Sequence, residues 1–184
     1  MKVLLKVAET NSPTSDLRLH ATSHRAALLA VRIGEGAAFL ARFVEGLSDS
    51  EWRIRVPEGG KSGRSVGVIV HHVASVYPIE IDLAQTIARG KSVTDVTWSL
   101  VAALNRKHAD EQAGVTKAAA VELLLRNSRE AADAVSEFTD AELDRAAPFS
   151  LADGATVTAQ FVIEDHAVRH SWHHLARIRT ALGR

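Results

Sequence analysis

Glu164-Asp165-His166-Ala167-Val168-Arg169-His170-Ser171-Trp172-His173-His174-Leu175-Ala176-Arg177-Ile178 carries four of the chain's nine histidines. No Pro or Gly interrupts the sequence from Thr156 to Leu182, which predicts a single helix over that span. Helical residues four apart differ by only about 40° around the axis. His170 and His174 therefore project from one face, and His166 extends the same row one turn earlier. Two imidazoles so placed can grip one metal ion at about 2.0–2.1 Å each. The zincin motif His-Glu-x-x-His uses the same spacing. That reading is excluded because Ser171 follows His170, and Ser cannot serve as the general base that a metalloprotease requires.

Working outward, 184 residues suggest one domain, spanning 1–184, with a core of useful size. Twenty-two basic residues balance 22 acidic ones. A net charge of zero argues against nucleic acid or a membrane surface as partner and leaves a small-molecule substrate. With no cysteine in the chain, disulfides, thiolate ligands and a cysteine nucleophile are all excluded. Met1 to Ala8 is too short for a signal segment, and residues 1–13 read as a loose N-terminal extension. No run approaches the roughly 20 apolar residues of a membrane span. A cytoplasmic location is expected.

Helical periodicity recurs along the chain. Leu29, Ile33, Ala37, Leu40, Val44 and Leu47 form the apolar stripe of a first helix predicted from about Asp16 to Leu47, in whose first turns His20 and His24 are solvated. Residues 53–64 read as a charged, Gly-rich loop. Gly59-Gly60-Lys61-Ser62 lacks the first Gly of a phosphate loop, since Arg55 stands there. Ser65 caps a second helix, Val66 to about Arg89, stopped by Gly90. A weaker helix with Trp98, Leu100, Val101 and Leu104 lies between Val93 and Gly114. Another runs from Thr116 or Lys117 to about Phe138, and no stretch alternates as a strand would. Four long amphipathic helices predict an all-α bundle.

Bundles build metal sites from facing helices. His71 or His72, early in the second long helix, is the natural third ligand. One of two adjacent histidines must point about 100° away from the other. Three histidines plus one open position is a catalytic rather than a closed structural arrangement.

Two segments carry a family resemblance. Ser65-Val66-Gly67-Val68-Ile69-Val70-His71-His72-Val73-Ala74 resembles the first signature of the DinB/YfiT-like superfamily, and His170-Ser171-Trp172-His173-His174-Leu175-Ala176-Arg177-Ile178 resembles its second. The order of elements agrees from about Asp16 to Leu182, including a long connection with Asn105 before the third bundle helix. The resemblance implies an up-down-down-up four-helix bundle, a homodimer and a mononuclear site for zinc or nickel. His72, His170 and His174 would be its ligands, His72 being preferred to His71 because it directly precedes Val73-Ala74. Related proteins include metal-dependent transferases of low-molecular-weight thiols and a mycothiol-dependent maleylpyruvate isomerase. Ser171 stands where relatives often carry Glu, and Ala176-Arg177 departs from their usual Gly-Gln.

The chemistry expected is thiol transfer or isomerisation with a low-molecular-weight thiol cosubstrate, since coordination lowers a thiol's pKa without a protein base. Glu80, Asn105 and His173 are candidates to orient the ligands, and His166 is either a further such residue or simply exposed. Two alternatives stand beside this. One is metal-dependent hydrolysis with Glu164 or Glu80 as base. The other is a non-catalytic dimeric bundle that binds a metal or another ligand.

Overall fold

The structure is a computed structural model and describes residues 23–58 and 61–184. It is mostly helical. Helix α1 (His24–Glu45) is capped by Ser23, whose hydroxyl accepts from the Ala26 amide and donates to Asp140. The cap expected near Thr14 to Asp16, His20 and the extension at 1–13 lie outside the described residues. His24 is the first residue of α1 and is exposed, as expected.

A short helix α2 (Asp49–Trp52) leads into strands β1 (Arg55–Glu58) and β2 (Lys61–Ser65). The segment expected to be a loop is thus an antiparallel hairpin, pairing Arg55 with Ser65 and Val56 with Arg64. Among the residues whose burial is described, Val56 is its single buried anchor, too little for an alternating pattern to show. Gly63 adopts φ +40°, and a Cβ there would fall 1.7 Å from the Val56 carbonyl oxygen, so only glycine fits.

Ser65 caps α3 (Val66–Ala88) through the Val68 amide, and Gly90 follows the helix with positive φ as anticipated. Helix α3 is long and apolar enough to cross a membrane by length and composition. Its apolar residues are instead largely enclosed by the bundle. Val66, Ile69, Val70, Val73, Ala74, Tyr77, Ala84 and Ile87 are fully buried, at roughly 1.5–3 kcal/mol for each of the larger ones. Gly67 lets the ring of Trp52 lie against the helix: a Cβ would sit 2.6 Å from that ring.

Helix α4 (Trp98–Glu111), capped by Thr97, buries none of its residues and lies outside the bundle. Helix α5 (Lys117–Ser136), capped by Thr116, packs against both α1 and α3. A short α6 (Asp140–Asp144) precedes strand β3 (Ala146–Pro148). This strand pairs antiparallel with β4 (Thr156–Thr158) across a 3-10 turn at Ser150–Ala152.

The last helix begins later than expected, because Thr156–Thr158 pairs as a strand and Thr158 caps the turn that follows. It runs without a break through α7 (Ala159–Val162), a π-helical segment (Ile163–Val168) and α8 (Arg169–Ala181). This helix packs on α1 and α3 from the side opposite α5. The four long elements α1, α3, α5 and α7–α8 form a four-helix bundle around one apolar core, with α1 and α3 on its diagonal.

Candidate metal centre

Helices α3 and α8 bring His72, His170 and His174 together. One ligand nitrogen from each lies within 4.8 Å of the other two. His170 and His174, one turn apart, stack with centroids 4.8 Å apart. The His72 ring stands edge-on to both, at 5.2 and 5.8 Å. His72 and His174 are buried. Burial, reinforced by the neighbouring His170, lowers the His72 pKa to about 2 and pushes His174 down as well. Both rings are therefore neutral at pH 7, with lone pairs free to coordinate. The Nδ1 of His174 is buried without a hydrogen-bond partner among the described residues.

Glu80 reaches the centre from two turns further along α3. Its Oε1 lies 2.5 Å from His170 Nδ1, and the carboxylate is buried. A carboxylate at Nδ1 holds the proton there and leaves Nε2 as the coordinating atom. The Oε2 of Glu80 is buried and unpartnered among the described residues.

The triad lies at the edge of a cavity of about 340 Å³ between α3, α4 and α8. Val76, Ile79 and Leu83 of α3 face Trp98, Val101 and Leu104 of α4 across it. This accounts for an α4 that buries nothing yet exposes large apolar side chains: it is the outer wall of the cavity.

A sequence-family model described as the DinB superfamily matches residues 35–178. The chain belongs to the DinB superfamily. Solved structures that share its fold include the following two. One is YfiT from Bacillus subtilis, described as "a probable metal-dependent hydrolase with an unusual four-helix bundle topology". It is 18% identical, with TM-score 0.68 over 85% of each chain. The other is the colibactin self-resistance protein ClbS in complex with double-stranded DNA. It is 15% identical, with TM-score 0.66 over 86% of this chain and 96% of that one. No curated protein matches the sequence.

ClbS corrects one expectation. Nucleic acid was excluded as a partner on the grounds of zero net charge, and a protein of this fold is seen bound to DNA. The inference fails physically because net charge sums over the whole chain, whereas binding responds to the local arrangement of charge. Balanced composition does not exclude nucleic acid for a DinB-superfamily protein.

In this DinB protein the remaining candidates divide clearly. His71 turns away from the triad, its Nδ1 2.9 Å from Nε2 of His108 on α4. His166 does not continue the row of His170 and His174. Each π turn closes over one residue more than an α turn, so the segment Ile163–Val168 shifts His166 out of register. Its ring packs edge-on against Phe149, and it lines the cavity without joining the triad. His173 is exposed at the cavity rim with its ring against His174, and Asn105 lines the α4 wall. Glu164 is paired with Arg32 and Gln160 and does not line the cavity. Ser171 is fully buried and bonded to Tyr77 at 2.7 Å, facing the core rather than the metal centre.

Two further residues stand at the centre, His108 beside His71 and Arg64 in the cavity wall. Arg64 lines the cavity from the β1–β2 hairpin. Its signal lay in its place immediately before the Ser65 cap, which holds it beside the first turns of α3.

Proposed function

We propose that this protein is a metal-dependent thiol transferase or isomerase. In this reading His72, His170 and His174 hold zinc or nickel, and a low-molecular-weight thiol reacts with an electrophile in the adjoining cavity. The observation that carries it is the convergence of three imidazoles, two of them neutral by burial, on the edge of a largely apolar cavity in a chain without cysteine. The donor set fits a divalent ion: three nitrogens leave one position of a tetrahedron for an exogenous ligand. A bound ion supplies a lowered pKa for a coordinated thiol, so that sulfur is nucleophilic near neutral pH.

The chain's own residues do the rest. Glu80 keeps the proton on His170 Nδ1. The apolar faces of α3 and α4 keep water from the acceptor. The thiol proton passes to solvent, and a carbon–sulfur bond forms at the electrophilic carbon. In transfer, the leaving group departs with its bonding electron pair. In isomerisation, the pair shifts into the acceptor's conjugated system and returns as the thiol is expelled.

Metal-dependent hydrolysis is the second reading. Its support is the free Oε2 of Glu80, a carboxylate oxygen in the cavity wall that could take a proton from water. The deciding experiment uses untagged protein loaded with zinc or nickel, assayed with 1-chloro-2,4-dinitrobenzene and a panel of thiols that includes cysteine and glutathione. The expected result is turnover that requires both metal and thiol and is lost with chelator. Ester or amide hydrolysis at comparable rates without thiol would overturn it in favour of the second reading.

A further inference from the structure

Arg64 is the penultimate residue of strand β2, directly before the Ser65 cap of α3, and lines the same cavity as His72 and His174. Its guanidinium is engaged along one edge. Nε lies 3.2 Å from both oxygens of Glu58, and Nη2 lies 2.7 Å from Oε1. Nη1 is buried and has no hydrogen-bond partner among the described residues. An unpaired buried donor costs on the order of 1–3 kcal/mol, and more for a charged group, so folding alone gives no reason to place one there. Glu58 does not cancel the charge either. It is shared with Arg177, whose Nη1 lies 3.1 Å from Oε1, leaving two cations to one anion.

The free Nη1 and the second N–H of Nη2 make up the outer edge of the fork. That edge matches a carboxylate through two parallel hydrogen bonds. Ile79, Leu83, Trp98, Val101 and Leu104 offer the same occupant an apolar surface. We propose that the acceptor substrate is an apolar carboxylic acid, its carboxylate held by the outer edge of Arg64 and its carbon skeleton by the α3 and α4 walls. This rests on the cavity being the acceptor's site, as in the proposed function, and not on the identity of metal or thiol.

Calorimetry on metal-free protein tests it, with cinnamate against its neutral isostere cinnamamide, so that no metal competes for the carboxylate. Cinnamate should bind about tenfold or more tightly than the amide. Arg64→Gln should abolish that preference, and Arg64→Lys, which keeps the charge and loses the fork, should retain part of it. Arg177→Gln leaves Glu58 to Arg64 alone but keeps the outer edge of the fork, and should weaken the preference without abolishing it. The proposal is overturned if neither compound binds, if both bind equally, if Arg64→Gln keeps the preference, or if Arg177→Gln removes it as completely. A further arm compares 3-mercaptopropionate with 3-mercaptopropionamide on metal-loaded protein. An Arg64-dependent preference confined to that pair would move the carboxylate to the thiol and overturn the assignment to the acceptor. The requirement for metal and thiol in turnover is read in a separate assay, so failure of the proposed function would not be mistaken for failure here.

Discussion

The side-chain amide of Asn127 donates to the main-chain carbonyl of Ala74 at 2.9 Å, and that carbonyl is the one Pro78 leaves without a helical donor. Proline has no N–H to give to the residue four before it. Ala74 is buried, so water cannot stand in. A side chain from α5 therefore completes the hydrogen bonding of α3 at a point between His72 and Glu80, the two residues α3 contributes to the metal centre.

Replacing Asn127 with Leu should therefore leave a buried carbonyl unsatisfied. The expected loss of stability is about 1–3 kcal/mol, read as a lower midpoint in urea with an unchanged m-value. A stability equal to that of the parent protein would show that the Ala74 carbonyl finds another donor.

The carboxylate of Glu80 touches His170 and leaves Oε2 without a partner among the described residues, so its removal should show in metal affinity before it shows in folding. Glu80→Gln keeps the shape and removes the charge that favours a proton on Nδ1. Metal affinity should fall by about 10–100-fold, measured by competition with a chromophoric chelator, while the circular dichroism spectrum stays the same. Unchanged affinity would mean that Glu80 is a buried polar residue without influence on the centre.

Much of this was legible in the sequence, and what was missed has physical causes. The bundle was legible because apolar residues recur at helical spacing through α1, α3 and α5, and the pair on α8 because an i, i+4 spacing states its own geometry. The π segment was not, because Ile163 to Val168 presents an apolar pattern that an α-helix would share. One inserted residue there was enough to misplace His166. The hairpin strands have one buried residue, Val56, among those described, and offer no alternation to detect. His108 owes its position to a tertiary contact with His71, across a separation that no local pattern reports, and Arg64 to a hairpin whose pairing the sequence does not display. Asn127 looks like any polar residue on a helix until Pro78 is seen to need it.

The adjacent pair His71 and His72 should separate on substitution. His72→Ala removes one of three donors and should abolish binding of one divalent ion per chain. His71→Ala should retain it, because His71 is bonded to His108 and supplies no nitrogen to the triad. Metal content after gel filtration, by atomic emission, distinguishes the two. The reverse pattern would exchange their roles.

Acid should destabilise the metal-free protein. Burial is the main cause that holds His72 at a pKa of about 2 and His174 well below the usual range, whereas both rings titrate near 6.5 in the unfolded chain. Above that value both states are unprotonated at these positions and pH has no effect through them. Below it the unfolded chain takes up protons that the folded rings refuse, so stability falls with falling pH, continuing until the folded pKa values are reached. Between pH 6.5 and 5 the loss is roughly 2 kcal/mol for each ring, at about 1.4 kcal/mol per pH unit. Urea midpoints at pH 7 and pH 5 should therefore differ, and His72→Gln, which has no titrating ring, should shrink the difference by that ring's share, with His71, His108, His166 and His173, also lowered by burial, keeping part of it. A midpoint independent of pH across this interval would show that the two rings are not held neutral by the fold.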